Sequence, residues 1–389
     1  MSDPKRAGND HLNERSAGKM AEKKTVHDVL HKLTIDSIAA RAVLVPMSRP
    51  LRTAAGDVPA APLVLVDVQT NEGIVGRSYA FAYTPLLLRT LVQFLRDVAP
   101  ALVGQAVSPR ERMRQLDAQL KLVGMQGVIG MAIGALDQAL WDALGRAANL
   151  PVAVLLGGEV KSLDAYDSYG LVDIKTDLPL LEASVESGFE AIKIKLGAGE
   201  VADQVATVAA VRKLIGPKRR LMVDLNQSQT TASAIDLILR LKDLDLTWVE
   251  EPVGAEDLHG HRVVREAVRP VPIQTGENWW FPRGMANAIA AKASDLAMVD
   301  IIKIGGVTGW ISAAGQAEAA SMPLSSHSYV EASAHTMACS PTASWSEYLD
   351  LAGAVLTEPL LPDKGKIVAR GPGLGLEWDE KAVHKYAFS

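Results

Sequence analysis

A single cysteine, Cys339, stands in 389 residues. That scarcity excludes an internal disulfide and a thiolate-cluster metal site, and it fits a reducing compartment. Basic stretches are equally missing: 40 lysines and arginines face 45 aspartates and glutamates, for a net charge of −5, and the positive residues are scattered rather than blocked. The expected partner is therefore a small molecule, and not nucleic acid or an anionic membrane. Long apolar runs are absent too. A membrane span needs roughly 20 predominantly apolar residues, and the nearest approach, from Ala286 to Ala297, is broken by Lys292, Ser294 and Asp295. Met1 to Lys24 are rich in Lys, Glu, Asp, Asn and Gly and lack the apolar stretch of a signal peptide. We read residues 1–30 as a disordered tail and expect a cytoplasmic location by default.

What is present is apolar and long. With 48% hydrophobic and only 22% charged residues, the chain can bury a core large enough for two domains. From Leu33 to Ser78 the pattern is strand, a Pro/Arg/Gly-rich loop at Pro46 to Ala61, strand, a turn at Asn71-Glu72-Gly73, and strand, which predicts a three-stranded antiparallel meander. Helical periodicity follows from Pro85 to Gly145, so residues 31–158 form an α+β domain. Beyond Asp164, short apolar strands alternate with amphipathic helices, and an eighth strand is signalled near Ser346 to Leu351. This predicts an α/β class chain with a (β/α)7–8 TIM-like barrel over residues 159–357. Residues 358–389 are expected to run back over the first domain.

The chemistry sits at the strand ends. In Ala191-Ile192-Lys193-Ile194-Lys195-Leu196 two lysines lie two residues apart in a β-branched run, so both ammonium groups point to one side of a strand. Burying them is costly without a purpose. Each should lower the other's proton affinity, and a nearby dication would lower it further, which makes Lys195, nearer the carboxyl end, the better general base; the alternative is that one of the two is a salt-bridge partner of the acidic cluster. Asp224, Glu250 and Glu277 follow at one-unit intervals, an all-oxygen trio suited to a hard divalent cation. Taken singly, each could merely cap a helix. Asp300 and then His327 continue the series; Asp300 could orient the imidazole and leave its other nitrogen free for proton transfer. Glu347, in a crowded cavity, could stay protonated and donate to a developing oxyanion. His259, His261 and His335 fall in helical or loop segments and read as structural.

These residues resemble the enolase superfamily, and within it the mandelate racemase / muconate lactonizing enzyme family, on its mandelate racemase side, from about Leu33 to Phe388. The resemblance implies that Lys195 is the S-specific base, with Lys193 beside the substrate carboxylate. It makes His327 with Asp300 the R-specific dyad, and Asp224, Glu250 and Glu277 the ligands of Mg²⁺, with Mn²⁺ as the alternative. Glu347 matches the electrophilic acid, and Ser168 and Asn226 the polar positions near substrate and metal. The α+β domain matches a capping domain whose loop from Pro50 to Val58 lids the barrel, with Leu51, Val58, Phe81 and Tyr83 at apolar pocket positions. A symmetric homo-oligomer such as an octamer is also implied. Two positions depart from the pattern: Ser328 stands for a leucine of the pocket and Arg52 for a histidine of the lid. They would put a hydroxyl and a guanidinium near the distal end of the substrate. The expected activity is racemisation of mandelate or a related aryl 2-hydroxy acid through a metal-stabilised enediolate. The alternatives are an acid-sugar dehydratase and a non-enzymatic barrel that binds a metal carboxylate.

Overall fold

The computed structural model describes residues 33–53, 56–197 and 199–388. The tail read as disordered lies outside the described residues. Strands β1 (Ile35–Thr53), β2 (Gly56–Thr70) and β3 (Val75–Phe81) form an antiparallel sheet in that order. The Pro46–Ala61 segment is not the loop expected from its prolines. β1 and β2 pair through it, with Val45 opposite Ala61, an irregularity between Pro46 and Leu51, and then Leu51 opposite Val58 and Arg52 opposite Asp57. Proline cannot donate to a ladder, but an edge strand with a bulge accommodates it. The lid is therefore a twisted hairpin extension of the sheet.

The helix Val128–Ala148 lies between this sheet and the rest of the molecule, which explains why its residues from Gly130 to Leu140 are all buried. Close approach is built into its sequence. A Cβ at Gly134 would come within 2.2 Å of the Ile302 carbonyl oxygen, so glycine lets the helix backbone rest directly on the segment that follows Asp300.

Eight parallel strands make the second layer: β4 (Ser162–Leu171), β5 (Ala191–Lys195), β6 (Arg220–Asp224), β7 (Leu246–Glu250), β8 (Ile273–Thr275), β9 (Leu296–Asp300), β10 (Leu324–His327) and β11 (Ser346–Tyr348). Neighbours follow chain order from β4 to β10, and β11 pairs with β4. Ser326 N donates to the Trp345 carbonyl at 3.2 Å and joins β10 to the β11 side, bringing the ring near closure. A helix connects each strand to the next, as parallel pairing requires. β12 (Lys366–Val368) adds antiparallel to the start of β4, and the tail then reaches β1, where Phe388 N donates to Ala42 O. No helix among the described residues is long and apolar enough to cross a membrane.

Candidate active site

Strand alternation decides which side chains enter the barrel. On β5, Ile192 and Ile194 pack outward with helix residues such as Val208 and Leu237, whereas Ala191 joins the interior group of Tyr166, Met222 and Trp248. Lys193 and Lys195 must then point inward. Parallel register places Lys195 beside Asp224, and Asp224 beside Glu250, in one row at the carboxyl ends of β5, β6 and β7. His327 stands beside Asp300 in the same way on β10 and β9. Glu277 follows β8 through Gly276, whose φ of +138° and proximity to the Met298 backbone leave no room for a side chain.

Asp224, Glu250 and Glu277 each offer an oxygen, and these oxygens lie within 4.8 Å of one another. Asp224 and Glu250 are fully buried. Burial and the charges of its neighbours, Asp224 first, push the Glu250 carboxyl well above its usual range even with Lys193 alongside. Glu277 Oε2 is buried without a hydrogen bond, although His327 Nε2 stands 3.2 Å away. Converging carboxylates, one with an orphaned oxygen, and no nitrogen or sulfur donor among the three, fit a hard divalent cation. Asn226 supports the trio: its Nδ2 and backbone N donate to the two oxygens of Asp224 at 3.0 and 2.7 Å.

Both lysines are paired with carboxylates, as the salt-bridge alternative has it. Lys193 Nζ donates to both oxygens of Glu250 at 3.0 Å and stands 2.8 Å from Oε1 of Glu347; Lys195 donates to Oδ2 of Asp224. Burial pulls both ammonium groups down, and Lys193 lowers Lys195 further, but the carboxylates outweigh this and hold both above the usual lysine range. Their counter-ions therefore set their protonation more than their mutual repulsion does.

Glu347 feels opposing influences. Burial favours its acid form, but the charges of Lys193 and then His327 prevail and hold it below the usual carboxylate range. Its Oε2 accepts from Ser328 N at 2.7 Å. Its Oε2 thus accepts a hydrogen bond, and the neighbouring cations oppose the acid form expected of a crowded cavity. His327 Nδ1 lies 2.8 Å from Oδ2 of Asp300, whose Oδ1 accepts the backbone N–H groups of Ile302 and Lys303. Burial lowers the His327 imidazole, yet Glu277 and Asp300 raise it above its usual value.

A cavity of about 840 Å³ opens over these groups. Lys195, Glu277, His327 and Glu347 face it, as do the expected Ser168, Asn226, Ser328, Leu51, Val58, Phe81 and Tyr83. Lys193, Asp224, Glu250 and Asp300 lie beneath it, buried. Arg52 is not among its lining residues: its guanidinium pairs with Asp177, in the segment after β4. Nor is the Ser328 hydroxyl distal, because its Oγ is 3.4 Å from His327 Nε2. Sequence reasoning missed Met131, Asn278, Trp280, Lys303 and Leu349, which are also among the lining residues. Lys303 carried a signal, three residues after Asp300 in the same apolar run. His261 and His335 are buried elsewhere, the latter accepting from Ala153 N.

Sequence models of two families match: the N-terminal domain of mandelate racemase / muconate lactonizing enzyme over residues 37–157, and the enolase C-terminal domain-like family over residues 179–382. The chain belongs to the mandelate racemase / muconate lactonizing enzyme family. Within it, the fold is similar to a solved enolase from Bradyrhizobium complexed with magnesium and mandelic acid, with a TM-score of 0.90 and 52% identity over 92% of this chain and 99% of that one. A 3,6-anhydro-alpha-L-galactonate cycloisomerase of Streptomyces coelicolor is 31% identical, covering 84% of this chain and 91% of its own. An L-talarate/galactarate dehydratase of Salmonella typhimurium is 27% identical, covering 82% and 81%. Family members of this kind share the scaffold and differ in the substrate they act on.

Proposed function

We propose that the protein is a Mg²⁺-dependent racemase of a 2-hydroxy carboxylate, mandelate or a close aryl relative. As a member of the enolase superfamily it is an enzyme that abstracts the proton α to a carboxylate, with Mg²⁺ as cofactor. The finer reading rests on one observation: Lys195 and His327, on strands roughly across the barrel mouth, face the same cavity from the two sides of the carboxylate trio. Two bases on opposite faces of one carbon permit inversion.

Asp224, Glu250 and Glu277 would hold the cation. When bound, Mg²⁺ supplies positive charge that offsets the carboxylate attraction on the Lys195 proton and stabilises charge developing on the substrate carboxylate. Lys195, as the free amine, takes the α-proton of the S enantiomer, and His327 Nε2 returns a proton to the opposite face; the reverse sequence serves the R enantiomer. Asp300 keeps the His327 ring oriented through Nδ1. Lys193 stays an ammonium, held by Glu250 and Glu347, and adds positive charge beneath the substrate carboxylate. Leu51, Val58, Phe81, Met131 and Trp280 offer an apolar wall for an aryl group and exclude water. With Arg52 tied to Asp177, no guanidinium from the lid enters that wall.

A dehydratase reading draws on Ser328, whose hydroxyl near His327 could address a second hydroxyl of a sugar acid. The test is proton NMR of the Mg²⁺-loaded protein in D₂O with R- and S-mandelate, then aldonic and aldaric acids. Loss of the α-proton signal from both mandelate enantiomers, with racemisation, supports the proposal. No exchange on mandelate, with a sugar acid converted to its 3-deoxy-2-keto product, overturns it in favour of dehydration. A barrel that only binds a metal carboxylate gives neither.

A further inference from the structure

Lys303 has no place in the proton transfers above, yet it touches three parts of the site. Its backbone N donates to Oδ1 of Asp300 at 3.0 Å, its ammonium lies 4.6 Å from the centre of the Tyr83 ring on the capping domain, and Nζ donates to Oδ1 of Asn278 at 2.7 Å. An ammonium has donors and no acceptor, so the Asn278 amide must turn its oxygen to Lys303 and its NH₂ the other way. There Nδ2 meets Oε1 of Glu277 at 3.1 Å and the two oxygens of Glu251 at 3.0 and 2.8 Å. The flipped amide would set its N–H against the ammonium and its oxygen against the Glu277 carboxylate, two repulsive contacts. The cation thereby selects the amide orientation that holds Glu277.

We infer that Lys303 is a positioning residue that sets the divalent-cation affinity of the Asp224–Glu250–Glu277 trio through Asn278, and that Tyr83 of the capping domain holds Lys303 in place to do so. Groups that orient metal ligands commonly alter metal affinity by 10–100-fold when removed. The ring face of Tyr83 fixes the ammonium by cation–π attraction, which links the lid sheet to the trio without any contact between Tyr83 and a trio carboxylate. The inference rests on the trio being the Mg²⁺ site.

The experiment is calorimetric titration of metal-free protein with MgCl₂ in the absence of substrate. Lys303→Met should weaken Mg²⁺ binding roughly tenfold, and Lys303→Arg, which still offers only donors, should restore most of it. Because the effect passes through Asn278, Lys303→Met combined with Asn278→Ala should bind no more weakly than Asn278→Ala alone. Wild-type affinity in Lys303→Met, or a double variant that loses the product of the two single effects, overturns the inference. Should Lys303→Met fail to fold, Tyr83→Leu carries the test from the other domain: a few-fold weakening, with Tyr83→Phe unchanged, supports it, and unchanged affinity in Tyr83→Leu overturns it. Failure of the wild-type protein to bind Mg²⁺ sinks the metal assignment itself, a different outcome from either.

Discussion

His327 Nδ1 is hydrogen-bonded to Asp300 at 2.8 Å while its Nε2 is turned to the cavity, 3.2 Å from Glu277. One nitrogen is committed to orientation and the other to the space above the carboxylate trio. Removing the ring should therefore affect one face of the substrate only. His327→Asn is expected to abolish racemisation while Lys195 still exchanges the α-proton of the S enantiomer in D₂O, and Lys195→Ala to do the converse with the R enantiomer. The loss in the affected direction should be on the order of 10²–10⁴-fold, the usual contribution of a positioned acid–base group. Equal loss of exchange from both enantiomers in either variant would contradict the two-base arrangement.

Chelation should abolish turnover, and added Mg²⁺ should restore it. Glu277→Gln removes a charge from a trio whose Oε2 has no hydrogen bond of its own. Its Mg²⁺ affinity, read by calorimetry, should fall by more than that of Lys303→Met, because it removes a ligand and not a support. Unchanged affinity would move the metal away from this trio.

The Arg52–Asp177 pair ties the lid hairpin to the segment after β4. Arg52 is 39% exposed, so the pair is screened and should contribute no more than about 1 kcal/mol. Arg52→Ala and Asp177→Ala are each expected to raise KM by about two- to fivefold with kcat little changed, and the double variant should be no worse than either single. A large fall in kcat for Arg52→Ala would instead return the guanidinium to the substrate.

Tyr79 of β3 donates to Glu331 Oε2 at 2.7 Å, a buried link between the capping sheet and the helix after His327. Burial pushes the Glu331 carboxyl up to about 7, partly offset by the Tyr79 hydrogen bond. An acid whose folded pKa is raised favours the native state only while protonated. The native protein then binds more protons than the unfolded chain between the ordinary glutamate pKa and about 7, and stability falls as pH rises through that window. Glu331→Gln should be near neutral at pH 5 and should raise Tm relative to wild type at pH 8, with an upper limit of about 3 kcal/mol. A Tm difference independent of pH would refute this account.

Much of the site was legible because strand chemistry is local. Period two in Ile192-Lys193-Ile194-Lys195 is enough to send both lysines to one side, and recurrence of an acid at the end of each later apolar run is enough to align Asp224, Glu250 and Asp300 at one mouth once the strands are parallel. The lid reads as a loop because Pro46, Pro50 and Pro59 fall within it, whereas the β1–β2 pair holds them through an irregular register. Asn278 and Lys303 were overlooked because they follow different strands and meet only where two loops converge.

The amino-acid sequence by itself determined the alternation of strand and helix, the two-layer architecture and the carboxylate and lysine positions, since each follows from periodicity within one element. Only the tertiary structure decided charge and direction. The Glu347 carboxyl is held below its usual range because Lys193, on β5 with only β4 between, stands 2.8 Å away. Arg52 leaves the cavity because Asp177 offers it a partner outside, and Ser328 sits at the base and not at the distal wall. Protonation and orientation depend on which charges are brought within a few ångströms, and that proximity is a property of the closed barrel.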